Sequence, residues 1–171
     1  MKKQIFKNKY YNEKDLQSCG FKNIGRNVSI HEKINICGVE NVSIGSNVRI
    51  DPYTNIVATG PIIIGSYIHI GSYCLLQGAE GIVIEDFCTL SHGVKIFTRN
   101  DDYSGNHLAG PMLPGEYTNV TKGSVIIKKY AIIGSNSVIL PNIIIGEGCS
   151  VGALSFVKKI YKNGICTLVF Q

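Results

Sequence analysis

The 171-residue sequence has no tryptophan, and helix-favouring residues are few. Its six cysteines include no Cys-x-x-Cys pair, which argues against a zinc or thioredoxin-type site. No basic run exceeds two residues, and 17 Lys+Arg against 12 Asp+Glu give a mild formal charge of +5. That argues against a nucleic-acid stripe and suits small anionic ligands. The stretch from Met1 to Lys9 lacks the apolar centre of a signal peptide. No apolar stretch is long enough to span a bilayer. These absences predict one reduced, soluble, cytoplasmic domain without membrane insertion.

What is present is a short period. From Ile127 an aliphatic residue recurs every six places: Ile133, Ile139, Ile145, Val151, Val157. A small or β-branched residue stands four places after each opener, as in Ala131, Ser137, Ile143, Cys149 and Ser155. Neither the 3.6 period of a helix nor plain strand alternation produces this; a fixed hexad is the mark of a β-helix. The aliphatic residue fills a narrow core and the small one fits beside it at the bend. Second-place glycines (Gly134, Gly146, Gly152) are expected to supply positive φ at tight corners. Cys74, Cys88 and Cys149 fall four places after an opener and read as small core residues.

The hexads begin at Ile24, and openers at Ile24, Ile44, Ile64 and Ile84 lay a period of 20 over the period of six. Three hexads make the three sides of one coil, and two extra residues enlarge one corner. The predicted fold is all-β: a triangular prism of stacked parallel strands whose coils satisfy each other's backbone groups. Residues 1–22 differ. Asn12 to Gly20 reads as one helix, capped by Asn12 and stopped by Gly20, a candidate cover for the end of the prism. The prism domain is then 23–171. Residues 97–124 contain no hexad and read as one long structureless inserted loop, which in a strict solenoid signals function.

The hexads, together with an insert between Gly93–Thr98 and Ser124–Lys128, resemble the hexapeptide-repeat acyltransferases. Asp101 to Gly105 and Gly152 to Ser155 resemble the galactoside-acetyltransferase-like branch, the sugar acetyltransferases of polysaccharide and O-antigen (lipopolysaccharide) pathways. The resemblance spans about residues 20–160 and implies a left-handed parallel β-helix, a homotrimer with active sites between neighbouring prisms, acetyl-CoA as co-substrate and no metal. It implies that Ser135 and Ala153 flank the pantetheine arm, with Lys158 and Lys159 near the CoA phosphates. Small side chains admit a ligand to the backbone, and two lysines offer charge to phosphates. Relatives end in a Gly-x-Pro-Ala-Lys/Arg loop over the adenine; residues 163–171 lack it, and Phe170 is the candidate replacement.

Many relatives place a histidine base shortly after the strand that opens the insert; here Thr98-Arg99-Asn100 is followed by Asp101. The candidate catalytic groups are therefore Asp101, Asp102, His107 and His92, with Asn100 and Tyr103 as substrate-binding residues. His31 and His69, on outward places, read as surface residues. A carboxylate is a weak base for a hydroxyl but a good partner for an ammonium, which tilts the acceptor towards an amine. The expected reaction is acetyl-CoA-dependent N-acetylation of a nucleotide-linked amino-deoxy sugar, such as a dTDP-4-amino-4,6-dideoxyhexose. The alternatives are sugar O-acetylation and, from another class, an inactive trimeric scaffold or binding module. A metal-dependent hydrolase of this fold needs three clustered histidines, and the four here are widely separated.

Overall fold

The computed structural model describes residues 9–158. Three six-stranded parallel sheets form the sides of a prism with the architecture of a left-handed parallel β-helix. The first face stacks Asn23–Ile24, Val42–Ile44, Ile62–Ile64, Ile82–Ile84, Val125–Ile127 and Ile144–Ile145. The second runs from Val28–Ile30 through Val48–Ile50, Ile68–Ile70, Thr89–Leu90 and Ile132–Ile133 to Ser150–Val151. The third runs from Asn35–Cys37 through Asn55–Val57, Leu75–Gln77, Lys95–Phe97 and Val138–Ile139 to Phe156–Val157.

The register turns the period into a core. Ile44 lies beside Ile64, and Ile64 beside Ile84, twenty residues apart. After the insert, Ile127 lies beside Ile145 and the coil shortens to eighteen residues. Stacked openers bury one another: Ile50, Ile70 and Leu90 in one column and Leu76, Ile96 and Ile139 in another are fully buried, each stabilising by about 1.5–3 kcal/mol. Cys74, Cys88 and Cys149 are buried in the same column system, and burial pushes the Cys74 and Cys88 thiols up to about 11.

The corners differ from expectation. The residues with positive φ are mostly not glycine: Asn47, Tyr67, Phe87, Tyr130, Asn136 and Leu154 adopt φ between 59° and 63°. Gly134 and Gly152 are absent from the positive-φ set. What Gly134 provides is room, since a Cβ there would lie 2.6 Å from the Gly152 carbonyl carbon in the next coil. Coil spacing therefore selects the glycine, and the left-handed residue sits two places later.

The helix spans Glu13–Ser18; the Asn12 side chain accepts from the Asp15 N–H, and Leu16 is buried with the prism core. Among the described residues no helix is long and apolar enough to cross a membrane.

Candidate active site

The insert leaves the prism after Lys95–Phe97 and returns at Val125–Ile127, and it is not structureless. Its two ends form an antiparallel ribbon, Arg99–Asn100 against Thr121–Lys122. Buried Thr98 anchors the exit: its Oγ1 donates to Gln77 O at 2.8 Å and accepts from Glu80 N at 3.1 Å. Arg99 ties the ribbon to the prism through Glu80, with Nε and the terminal nitrogen each 2.7 Å from Oε1. Further out, Leu108 N donates to Tyr117 O at 2.8 Å, and a short 3-10 turn spans Gly115–Tyr117. Main-chain pairing of this kind cannot be read from side-chain periodicity.

The folded insert stands over the third face and borders a half-open cavity of about 870 Å³. Its floor is mostly apolar: Phe97, Val138, Leu140 and Phe156, with Gln77 beside them. Its wall carries Asn100, Asp101 and Tyr103, with Arg99 and Lys122 at the ribbon. The Asp101 carboxylate and the Lys122 ammonium have no partner among the described residues. Tyr103 is exposed, and Asn100 Nδ2 donates to Asp101 O at 3.0 Å. The sequence offered one clue to this floor: aromatic and aliphatic residues occupy outward strand places beside the insert, where a solvated face carries polar ones.

Asp102 and His107 are brought together, beside the cavity rather than in its lining. Asp102 Oδ2 accepts from His107 Nδ1 at 2.7 Å, and Oδ1 accepts from Ser104 N at 2.8 Å. The Ser104 N–H, then its side chain, then His107 hold the Asp102 carboxyl down at about 2. Asp102 is thus a turn former and an orienting group for His107.

His92, Ser135 and Ala153 lie elsewhere, along the corner between the second and third faces. Asn136 N donates to His92 O at 2.9 Å, and Leu154 N donates to Ser135 O at 2.8 Å, so these corners stack coil on coil. His92 Nδ1 accepts from Ser72 N at 3.0 Å, which leaves the proton of the neutral ring on Nε2. Ser91, next to it, has no distinguishing signal in the sequence; its hydroxyl has no partner among the described residues. Lys158 is exposed at the end of the third face, and Lys159 and Phe170 lie outside the described residues. From Gly93 to Thr98 the chain crosses the whole third face, roughly 16 Å at strand rise. One chain therefore holds its Asp101 group and its Ser91–Ser135–Ala153 group on opposite edges.

The other two histidines are not plain surface residues. His31 is buried, with Nδ1 accepting from Lys33 N at 3.0 Å and its ring edge-to-face with Tyr10. His69 Nε2 donates to buried Asp51 at 2.8 Å. Tyr10 covers His31, whereas His69 stays partly exposed with its Nε2 held by the corner carboxylate of Asp51. Among the described residues no three His, Cys, Asp or Glu side chains gather as a metal site.

Residues 124–159 match the bacterial transferase hexapeptide (six repeats) family model. The chain is 44% identical over 151 residues to an Escherichia coli dTDP-4-amino-4,6-dideoxy-D-glucose acyltransferase, covering 88% of this chain and 79% of the relative. It superposes on AntD, an N-acyltransferase from Bacillus cereus, in complex with dTDP and 3-hydroxybutyryl-CoA, with TM-score 0.88 and 43% identity over 92% of this chain and 83% of AntD. A variant of AntD in complex with dTDP-4-amino-4,6-dideoxyglucose and coenzyme A superposes with TM-score 0.90 and 42% identity, over 95% of this chain and 87% of AntD. The AntD structures include substitutions of one serine and of one aspartate ten positions later. At this identity and coverage, the chain belongs to the hexapeptide-repeat sugar acyltransferases.

Proposed function

We propose that this acyltransferase moves an acyl group from acyl-CoA to the amino group of a nucleotide-linked amino-deoxy sugar of the dTDP-4-amino-4,6-dideoxyhexose kind. The observation that carries the reading is the unpartnered Asp101 carboxylate in the wall of the cavity beneath the insert. It stands where many members of the family keep a histidine. AntD and the E. coli relative support the acceptor class and the CoA thioester donor. Acetyl-CoA is the simplest donor of that class. The reaction suits a precursor of O-antigen or another surface polysaccharide, and it belongs in the cytoplasm with its CoA and nucleotide-sugar substrates.

An ammonium entering the cavity meets the Asp101 carboxylate, which holds it by a charge-assisted hydrogen bond. Loss of one proton frees the nitrogen lone pair, which attacks the thioester carbonyl carbon. The C–N bond forms, the C–S bond breaks, and the thiolate takes up a proton to leave as CoA-SH. The balance is amide, thiol and one released proton. Unlike a hydroxyl, an amine needs no strong base in the transition state, so a carboxylate that orients it suffices.

Ser91 and Asp101 are the only serine and aspartate ten positions apart in this sequence, the spacing of the two residues substituted in AntD. They belong to the same coil level but to opposite edges of the third face. A site that uses both draws Asp101 from one chain and Ser91 from its neighbour. This supports a closed homotrimer, in which the donor lies along the Ser135–Ala153 edge of one chain beside the insert of the next. The test is thiol release from acetyl-CoA with two nucleotide-linked sugars that differ only in a 4-amino or 4-hydroxyl group. Release with the amine alone supports the reading, and equal release with the hydroxyl sugar overturns it.

A further inference from the structure

Outside the cavity, a charged cluster among the described residues lies on the outward side of the second face. Arg49 and His69 are register neighbours on the outward side of the second face, followed by Thr89. Both are anchored by Asp51, which is 5% exposed at the corner next to them. Asp51 Oδ1 accepts from Arg49 Nε at 2.7 Å and, more weakly, from Tyr10 OH at 3.3 Å; Oδ2 accepts from His69 Nε2 at 2.8 Å. Burial alone would raise the Asp51 carboxyl, but the bonds from His69 and Arg49 outweigh it and it stays ionised below the usual range. The anchored atoms are Nε of the arginine and Nε2 of the histidine. The Arg49 guanidinium also lies over the Tyr10 ring, its central carbon 5.7 Å from the ring centroid, while His69 Nδ1 has no partner among the described residues; the two side chains are 58% and 40% exposed. Fixing a guanidinium by Nε presents its flat outer edge in a set direction, the geometry that grips a phosphate by two parallel N–H bonds.

Position gives the anion an identity. Asp51, Gly71 and Ser91 occupy the same corner place in three successive coils, each following a stacked core residue. A Cβ at Gly71 would lie 2.8 Å from His92 N and 3.0 Å from the Ser91 carbonyl carbon, so the coils that carry the Asp51 cluster and Ser91 stack closely at this corner. The donor-side candidates Ser135 and Ala153 take the same edge on the C-terminal side of Ser91, so an acceptor meeting the donor at Ser91 extends towards the N-terminal coils. In a 4-aminohexose the amine and the anomeric oxygen sit at opposite ends of the ring. With the amine at Ser91, the diphosphate falls one to two coils away, about 5–10 Å. That is the level of His69 and Arg49.

We infer that Arg49 and His69, held by Asp51, form the seat for the diphosphate of the nucleotide-linked acceptor, one chain's seat serving the cavity of its neighbour. The inference rests on the acceptor class proposed above. The rival seat is in the cavity itself, where Lys122 is unpaired; Arg99 there is already neutralised by Glu80. An Arg49 seat also sets specificity, because a sugar without a diphosphate loses the grip while keeping the amine chemistry.

The experiment measures dTDP binding by calorimetry and acyl transfer by thiol release. Arg49→Met is combined with Asp51→Asn so that no buried charge is left alone; His69→Gln and Lys122→Met are made singly, and unfolding temperatures are recorded. The double variant should weaken dTDP about tenfold to a hundredfold and raise KM for the nucleotide-linked amine to match. Its rate with the same amino sugar lacking the nucleotide should equal wild type, an equality that structural damage would not give. His69→Gln should show a smaller loss of the same kind. If dTDP affinity survives the double variant and falls with Lys122→Met, the diphosphate lies in the cavity and this inference is overturned while the function stands. If the wild type neither binds dTDP nor acylates a nucleotide-linked amine, the function falls and the seat with it.

Discussion

His107 Nδ1 lies 2.7 Å from Asp102 Oδ2, while Asp101, one residue earlier, leaves its carboxylate unpartnered towards the cavity. Two adjacent aspartates thus have different tasks. Asp102 spends its charge on the Ser104 turn and on His107. Asp101→Asn should lower kcat/KM for the amine by about a hundredfold or more, the scale of a group acting in the transition state. His107→Ala and His92→Ala should each cost less. Steady-state kinetics on the three variants decides, and a larger loss at His107 would move the chemistry there.

The Asp102 bonds also set a pH dependence. Its carboxyl titrates at about 2 in the folded chain against 3.8 for the free group. A depressed carboxylate stabilises the fold above its unfolded pKa, and that stabilisation is lost as pH falls towards the folded value. Unfolding temperature should therefore fall between about pH 4 and pH 2 partly through Asp102. Asp102→Asn should flatten that stretch of the curve; an identical slope would remove the linkage.

The fold was legible because a prism with one residue type per place repeats its constraints every coil. Ile44, Ile64 and Ile84 announce the stack, and the loss of hexads announces the insert. The corners misled. The sequence suggests a φ requirement at Gly134, whereas the nearby Gly152 backbone requires its small size. Ser91 carries no signal in the sequence, because a serine at a corner looks like any turn former, as Asp51 and Gly71 do in the coils before it. His69 looked solvated because its partner, Asp51, lies eighteen residues back, a contact made by coil stacking. The division of Asp101 and Ser91 between two edges needs the width of the third face, which a linear motif does not carry.

The two-edge site predicts complementation. Ser91→Ala and Asp101→Asn homotrimers should both be nearly inactive. Unfolded together and refolded, mixed trimers rebuild wild-type sites wherever an intact Asp101 meets an intact Ser91, returning about a quarter of wild-type activity for random mixing. No recovery would mean that one chain supplies both groups. A monomer by light scattering at micromolar concentration would exclude the trimer outright.

On the donor side, changing Lys158 and Lys159 together to Ala should raise KM for acetyl-CoA about tenfold or more and leave kcat largely unchanged, since phosphate contacts remote from the thioester contribute uniform binding. An unchanged KM would move the CoA phosphates to another edge.

Ile96 is fully buried in the middle of Lys95–Phe97, the last prism strand before the insert. Ile96→Ala should cost about 2–5 kcal/mol through lost burial and a cavity between coils. Chemical denaturation reads it, and a change under 1 kcal/mol would mean that the neighbouring coils close the gap.

The central claim is amide formation on a nucleotide-linked amino sugar. The direct measurement is the mass spectrum of dTDP-4-amino-4,6-dideoxyglucose after incubation with acetyl-CoA and wild-type protein, with parallel hydroxylamine treatment of the product. The account predicts one added acetyl group, one equivalent of free CoA, and a product that hydroxylamine leaves intact because the bond is an amide. An acetyl group that hydroxylamine removes, or an unchanged nucleotide sugar beside intact thioester, would contradict it.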